Sequence, residues 1–150
     1  MTVSLVLNGR RADLRCAPAD MLLGALRDHG LSSVRETCAI GVCGACTVLL
    51  DGEPVTGCLT MAGQADGRAI TTLEGLGGSD PVQRAFAAEH AFQCGWCTPG
   101  FVLTVKRLLE ENPDPGEEEI AEALGGNLCR CGSYVNIAAA VRRAAKEQRA

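Results

Sequence analysis

The sequence is poor in aromatic residues: its 150 residues include three phenylalanines, one tryptophan and one tyrosine. So few rings leave little surface on which bases can stack, which argues against nucleic-acid binding. No apolar run approaches the roughly 20 residues that a membrane-spanning helix needs. The net charge is only −4, and no long block of like charge indicates a disordered tail or a membrane-binding patch.

The sequence also lacks the motifs of several common functions. Its N-terminus alternates in TVSLVL and continues with NGRR, instead of showing the charged and apolar segments of a secretory signal peptide. We therefore expect a cytoplasmic protein. No phosphate-binding glycine loop followed by lysine and no nucleophile elbow occurs. No segment predicts a flavin or pterin domain within the chain.

Cysteine, by contrast, is abundant. The nine cysteines are Cys16, Cys38, Cys43, Cys46, Cys58, Cys94, Cys97, Cys129 and Cys131. In a reducing compartment this density favours metal ligation over disulfide bonds. Eight of them fall into two groups of four. The ninth, Cys16, ends a strand-like pattern and is predicted to be a buried thiol.

The first half of the chain has the pattern of a small sheet. Residues 3–7 alternate, Asn8-Gly9 is a strong hairpin-turn signal, and residues 12–16 alternate again. A helix is predicted over residues 19–28, with Gly30 as its C-terminal cap. Further strands are predicted at residues 47–50, from residue 55 onward and at residues 70–73.

The second half of the chain has the pattern of four helices. It follows GLGGSD, which is typical of a linker, and three of the helix starts place a cap residue before a proline. These starts are Asp80-Pro81, Thr98-Pro99 and Asp114-Pro115, and the fourth helix is predicted to begin near Ser133. Two domains are therefore expected, at residues 1–76 and 77–150.

The first cysteine group has the spacing of a plant-type 2Fe-2S site. Cys38, Cys43 and Cys46 follow the pattern C-x4-C-x2-C, and Cys58 supplies the fourth thiolate. The intervening Gly41 and Gly44 admit positive φ and let backbone amide groups approach sulfur. A structural zinc site is the alternative, because four thiolates also suit zinc.

The second cysteine group consists of two pairs that each precede a helix. Cys94-x2-Cys97 comes before the helix that starts near Thr98, and Cys129-x-Cys131 comes before the last one. Two helix N-termini that converge on an anionic cluster would stabilise it, so a second 2Fe-2S cluster is predicted here. Arg130 either offsets the cluster charge, docks a partner or is simply solvated.

The two histidines, His29 and His90, are the residues that a Rieske centre would require. Neither lies within a cysteine motif, and eight cysteines already complete two sets of ligands. Both histidines are therefore predicted to lie at the surface or at helix ends.

Three motifs in order, CAIGVCGACTV, FQCGWCTPGF and GNLCRCGSY, resemble the iron–sulfur subunit of the molybdenum hydroxylases, the xanthine oxidase and carbon monoxide dehydrogenase family. The resemblance covers the whole chain. It implies an α+β protein with a ferredoxin-like β-grasp domain, a four-helix bundle and one 2Fe-2S cluster in each. It also implies a large molybdopterin subunit and a medium FAD subunit, in a heterotrimer or a dimer of heterotrimers.

The resemblance further implies an electron path from molybdenum to the helical-domain cluster, then to the β-domain cluster, then to flavin. Gln93 and Cys131 match family positions that reach the pterin. The chain departs from the family pattern after Cys131, where Gly132-Ser133-Tyr134 replaces Thr-Gly-Tyr, and Ser133 is expected to take over the capping role. Thr37 and Ala39 also occupy positions that are often glycine.

Two alternatives of different classes remain at this point. A free-standing two-cluster ferredoxin would shuttle electrons between several enzymes and would occur as a monomer. A zinc-stabilised interaction module would be colourless.

Overall fold

The structure, a computed structural model, describes residues 2–150. The strands are β1 (Val3–Leu7), β2 (Arg10–Leu14), β3 (Thr47–Leu50), β4 (Glu53–Thr56) and β5 (Ala69–Thr71). The helices are α1 (Leu22–Asp28), α2 (Pro81–Ala88), α3 (Thr98–Glu111), α4 (Glu117–Leu124) and α5 (Tyr134–Arg149). The predicted α+β class, with a sheet first and four helices after it, is confirmed.

The five strands form one mixed sheet in the order β2-β1-β5-β3-β4. β1 and β2 pair antiparallel through the predicted turn, where Asn8 and Gly9 have φ of 50° and 80°. β3 and β4 pair in the same way, and β5 lies between the two hairpins, parallel to β1 and antiparallel to β3. Helix α1 buries Leu22 and Leu26 in the core of this half.

Helix α1 begins three residues later than predicted, at Leu22 instead of residue 19. The Asp20 carboxylate accepts the Ala17 N–H at 2.7 Å, which holds the preceding residues in a turn. Met21 is extended and forms an isolated bridge with Met61. At the other end Gly30 has a φ of 99° and donates its N–H to the Arg27 carbonyl, as expected of a residue that ends a helix.

Strand β5 ends at Thr71, earlier than the predicted residue 73. Leu73–Leu76 instead forms a 3-10 turn whose Glu74 carboxylate accepts hydrogen bonds from the Thr72 hydroxyl and from the Ser33 N–H. Burial alone would raise the pKa of Glu74, but these hydrogen bonds outweigh it and lower the pKa. Local side-chain bonds of this kind compete with continuation of a strand.

Three of the four predicted helix starts in the second half are confirmed, since α3 begins at Thr98, where a start was expected. Asp80 caps α2 and accepts the Val82 N–H at 2.9 Å. Helix α5 follows Ser133, as predicted. The predicted cap at Asp114 is wrong, because Gly116 is the residue that precedes α4. The Gly116 N–H donates at 2.7 Å to the carboxylate of Glu119, which holds the third helical position.

The two halves have separate cores but a close interface. The second core contains Phe101, Ile137 and Val141 from α3 and α5. Helix α3 packs against β3 and β4, and Arg107 pairs with Glu53 across this interface at 2.7 Å. The division of the chain between residues 76 and 77 stays a prediction. Within residues 2–150, no helix combines the length and the apolar character needed to cross a bilayer.

Candidate metal centres

The first four cysteines come together at one end of the sheet. Cys38, Cys43 and Cys46 lie on the loop between α1 and β3, and Cys58 follows β4 by two residues. The Cys43 thiol is hydrogen-bonded to the Cys38 sulfur, and the Cys46 and Cys58 thiols are hydrogen-bonded to each other. These four cysteines therefore form two close thiol pairs.

Backbone amide groups of the loop point at sulfur, as the sequence predicted. The backbone N–H groups of Ile40 and Cys43, the Cys43 thiol and the N–H of Val42 lower the pKa of Cys38 to about 6. Burial, by contrast, raises the pKa of Cys46 to about 11. Thiolates are the form that ligates iron, so the amide groups stabilise the charge that ligation requires.

The loop depends on positive φ angles at three positions. Gly41 has a φ of 78°, and a Cβ there would come within 2.2 Å of the Leu59 side chain. Gly44 has a φ of 66°. Ala39, which replaces a residue that is often glycine in the resembling family, has a φ of 55°. Since an L side chain at positive φ is strained, this departure stores strain in the ligand loop.

Replacement of Ala39 by glycine is expected to stabilise the protein. Relief of left-handed strain is worth about 1–2 kcal/mol, whereas the added freedom of glycine in the unfolded chain costs about 0.4–1 kcal/mol. We expect a net gain of roughly 0.5–1 kcal/mol, or about 1–4 °C in the thermal midpoint. Visible circular dichroism of the iron-loaded protein during heating measures it. Ala39→Val is the opposite control and should lower the midpoint, while a lower midpoint for Ala39→Gly would contradict the strain argument.

The second four cysteines lie at the start of two helices. Cys97 is the N-cap residue of α3, with the exposed Cys94 three residues before it. Cys129 is buried and Cys131 partly buried in the loop that leads into α5. The Cys97 thiol is hydrogen-bonded to the Cys129 sulfur, so the two motifs meet although they are distant in sequence.

In the contact between Cys97 and Cys129, hydrogen bonds stabilise the thiolate of Cys129. Burial raises the pKa of Cys97 to about 12. Burial would also raise the pKa of Cys129, but the Ser133 N–H, the Cys97 thiol, the Ser133 hydroxyl and the Cys131 N–H outweigh it and lower the pKa. The N-terminus of α5 therefore supplies donors to a candidate ligand, as the predicted helix-start geometry requires.

Two cap predictions at this site are wrong. Ser133 holds the N-cap position of α5, but its hydroxyl makes no bond to the helix backbone and instead approaches the Cys129 sulfur. Thr98 is the first residue of α3 instead of its cap, and its hydroxyl is buried without a partner. In both places the ligand loop determines the conformation at the helix start.

Tyr134 is a site residue that the sequence did not indicate. Its hydroxyl oxygen accepts the Cys129 N–H at 2.9 Å. Its ring packs edge-on against Phe101, with ring centres 6.3 Å apart. Tyr134 therefore joins the ligand loop to the helical core. Its place at the end of the motif GNLCRCGSY, three residues after Cys131, is the sequence signal that points to it.

The remaining candidates lie apart from the two sets. Cys16 is partly buried instead of fully buried, and its thiol lies 3.7 Å from the Leu14 carbonyl oxygen as a weak donor. His29 and His90 are both exposed, as predicted. Within residues 2–150, no three His, Cys, Asp or Glu side chains gather closely enough to surround a single metal ion.

The large apolar side chains that the described residues expose lie in or close to the cysteine motifs of the sequence, except Met21, which forms a bridge with Met61. The first patch, beside the β-domain set, consists of Met21, Ile40, Val42, Leu59 and Met61. The second patch, beside the helical set, consists of Phe92, Trp96, Leu128, Tyr134 and Val135. Exposed apolar surface of this kind marks sites where other proteins bind. Gln93 is exposed next to the second patch.

The fold and the placement of the cysteines define a class of protein with two 2Fe-2S domains in tandem. Comparison with known proteins agrees with this class. Residues 5–71 match the family described as a 2Fe-2S iron-sulfur cluster binding domain. Residues 72–142 match the family described as a 2Fe-2S binding domain.

The chain is 51% identical to the nicotinate dehydrogenase small FeS subunit of Eubacterium barkeri, over 96% of this chain and 94% of that protein. Its fold matches the crystal structure of quinoline 2-oxidoreductase from Pseudomonas putida 86 with a TM-score of 0.93 and 41% identity, over 99% and 96% of the two chains. Aldehyde oxidoreductase from Desulfovibrio desulfuricans ATCC 27774 matches with the same score and identity, over 99% of this chain and 17% of that longer chain. The chain thus belongs to the iron–sulfur subunits of the molybdenum hydroxylase family.

Proposed function

We propose that this chain holds two 2Fe-2S clusters and carries electrons between two larger subunits of a molybdenum hydroxylase. Cys38, Cys43, Cys46 and Cys58 would hold the cluster of the β domain. Cys94, Cys97, Cys129 and Cys131 would hold that of the helical domain. The chain itself forms and breaks no substrate bond. The clusters supply one-electron redox chemistry, and the protein supplies ligands and fixes their surroundings.

The observation that carries the proposal is the pairing of the thiols. A single zinc ion needs four thiolates around one point, whereas each of the two irons in a 2Fe-2S cluster takes two. Three pairs are in contact: Cys38 with Cys43, Cys46 with Cys58, and Cys97 with Cys129.

The two apolar patches support two different partners. We propose that the second patch faces the molybdopterin subunit, because its residues flank Gln93 and Cys131 in the sequence, the positions that resemble pterin contacts. The first patch would then face the FAD subunit. Electrons would enter through the helical domain and leave through the β domain. The assembly would be a heterotrimer, alone or as a dimer, in the reducing cytoplasm, where the nine cysteines stay free for ligation.

The experiment is purification of the native assembly followed by metal analysis and electron paramagnetic resonance (EPR) after dithionite reduction. We expect about four iron atoms per copy of this chain and two distinguishable reduced 2Fe-2S signals. Molybdenum and flavin should co-elute with it in size exclusion. A coloured monomer would instead support the free-standing ferredoxin, and a colourless, zinc-containing protein would overturn the proposal.

A further inference from the structure

Arg35 is a partly buried cation that lacks a carboxylate partner. Within residues 2–150, the lysine and arginine residues that are partly buried instead of exposed are Arg35, Lys106 and Arg107. Lys106 lies 3.2 Å from the Asp80 carboxylate, and Arg107 lies 2.7 Å from that of Glu53. Arg35 forms no ion pair with any residue in this range. Its Nε is buried without a hydrogen-bond partner.

The charge of Arg35 therefore needs a negative group from outside the described side chains. Removing a charge from water without a counter-charge is costly, and a guanidinium cannot escape the cost by losing its proton. The carboxylate next to it in the chain, that of Glu36, belongs to an exposed residue. An anion that binds beside Arg35 would remove this cost.

The backbone of Arg35 is fixed to the ligand loop of the β domain. Its N–H donates to the Ala45 carbonyl oxygen at 3.2 Å, and Ala45 immediately precedes Cys46. The carbonyl oxygen of the same peptide group, which belongs to Val34, accepts a hydrogen bond from the Arg27 guanidinium at 2.9 Å. Both polar groups of this peptide are thus bonded, three residues before the first candidate ligand of the loop.

Trp96 holds the guanidinium group of Arg35 against the helical domain. The guanidinium carbon lies 4.7 Å from the centre of the Trp96 ring, which is the distance of a cation–π contact. The Trp96 indole N–H donates to the Thr37 hydroxyl at 2.8 Å, and this bond restrains the plane of the ring. Because Trp96 stands between Cys94 and Cys97, the positive charge lies where the cysteine motifs of the two domains meet.

We infer that Arg35 is a fixed positive charge that compensates the anionic centres of both domains and raises their midpoint potentials, and that Trp96 is its positioning residue. The inference rests on the proposed function. Four thiolate ligands leave a 2Fe-2S centre with a net negative charge, and its reduction adds one more. A nearby cation favours the more negative form, so it raises the potential.

The test separates the charge of Arg35 from its shape. Arg35→Gln removes the charge, and Arg35→Lys keeps it. In the native assembly, EPR at a series of fixed solution potentials measures the ratio of reduced to oxidised form for each centre. At a fixed potential we expect Arg35→Gln to lower this ratio by about three- to tenfold at both centres, where tenfold corresponds to about 59 mV for one electron. Arg35→Lys should stay within about twofold of the unmodified assembly.

Lys146→Gln is the matched control for a general change in net charge. Lys146 is exposed and lies in the last turn of α5, whereas the cysteines lie at the first turn. At a rise of about 1.5 Å per residue the two ends of this part of the helix are roughly 18 Å apart, and salt screens exposed charges beyond about 8–10 Å. Both ratios should therefore stay within about twofold of the unmodified assembly in Lys146→Gln.

Trp96→Leu is the second variant, for the case that Arg35→Gln loses a centre. It keeps the arginine but removes the ring that holds the guanidinium, so the charge can move into water, where it is screened. Both ratios should then fall in the same direction as in Arg35→Gln, by a smaller factor. Iron content and the two EPR signals report whether each variant still holds both centres.

Lower ratios at both centres in Arg35→Gln, or in Trp96→Leu if the first variant loses a centre, support the inference when Arg35→Lys and Lys146→Gln are unchanged. Unchanged ratios in an Arg35→Gln assembly that holds both centres overturn it, and so does a fall at one centre alone. An equal fall in Arg35→Lys or Lys146→Gln also overturns it, because shape or net charge would then be the cause. Loss of a centre in both Arg35→Gln and Trp96→Leu assigns these residues a purely structural role and overturns it as well. An unmodified assembly without two 2Fe-2S signals would instead overturn the proposed function.

Discussion

Cys131→Ala is expected to abolish the cluster of the helical domain and to leave that of the β domain intact. Alanine supplies no ligand, and the partly buried loop that leads into α5 offers no other thiol besides Cys129. Iron should fall from about four atoms per chain to about two, and one of the two reduced EPR signals should disappear. Retention of both signals at full strength would show that the ligand assignment is wrong.

Two matched variants make this result specific. Cys58→Ala should remove the other signal, because Cys58 belongs to the β-domain set and contacts Cys46. Cys16→Ala should keep all the iron and both signals, because Cys16 lies outside both cysteine motifs and its thiol is a weak donor to the Leu14 carbonyl. Loss of iron in Cys16→Ala would show that this thiol is not the inert residue that its position indicates.

The sequence predicted best those features that depend on local periodicity and turn chemistry. The two hairpins lie where alternating residues flank Asn8-Gly9 and Asp51-Gly52, and all four of these turn residues have positive φ. The pairing of β1 with β5 could not be predicted in this way. It joins segments that are far apart in the chain, and no local pattern specifies such a partner.

Helix starts were predicted less well, because side chains near the ends satisfy backbone groups in more than one way. The Asp20 carboxylate bonds backward to Ala17, which delays α1. The Glu119 carboxylate accepts a hydrogen bond from the Gly116 N–H, so α4 starts after the predicted Asp114 cap. At Ser133, a nearby sulfur competes with the helix backbone for the hydroxyl. Each choice depends on a neighbour that a residue pattern does not reveal.

At the candidate centres, cysteine spacing predicted which thiols group together but not what surrounds them. Spacing constrains ligands, because a short loop fixes how closely its own sulfur atoms can approach. Asn127, in contrast, donates to the Gly44 carbonyl oxygen of the other loop, and Tyr134 accepts the Cys129 N–H. Gly100 and Tyr134 did carry a signal, since an isolated glycine in a helix is usually explained by close packing and Tyr134 ends a cysteine motif.

Gly100→Ala is expected to have the second-largest effect, because its new Cβ would collide with the ligand loop of the β domain. Its φ is ordinary, so helix propensity alone predicts a gain of about 1 kcal/mol. However, the new Cβ would lie 2.3 Å from the Gly44 carbonyl oxygen and 3.0 Å from Asn127 Nδ2. The nearer atom belongs to the backbone and cannot rotate away. Overpacking of this kind costs about 1–3 kcal/mol or more, so the clash should outweigh the propensity.

We expect the thermal midpoint of iron-loaded Gly100→Ala to fall by about 2–8 °C relative to the unmodified protein. Gly126→Ala is the matched control: it lies in the same region, no atom outside its own neighbours lies within 4 Å of its added Cβ, and it should melt within about 1 °C of the parent. A Gly100→Ala protein as stable as the control would mean that the loop that carries Cys43 and Gly44 moves aside for the new side chain without cost, which would contradict the overpacking argument.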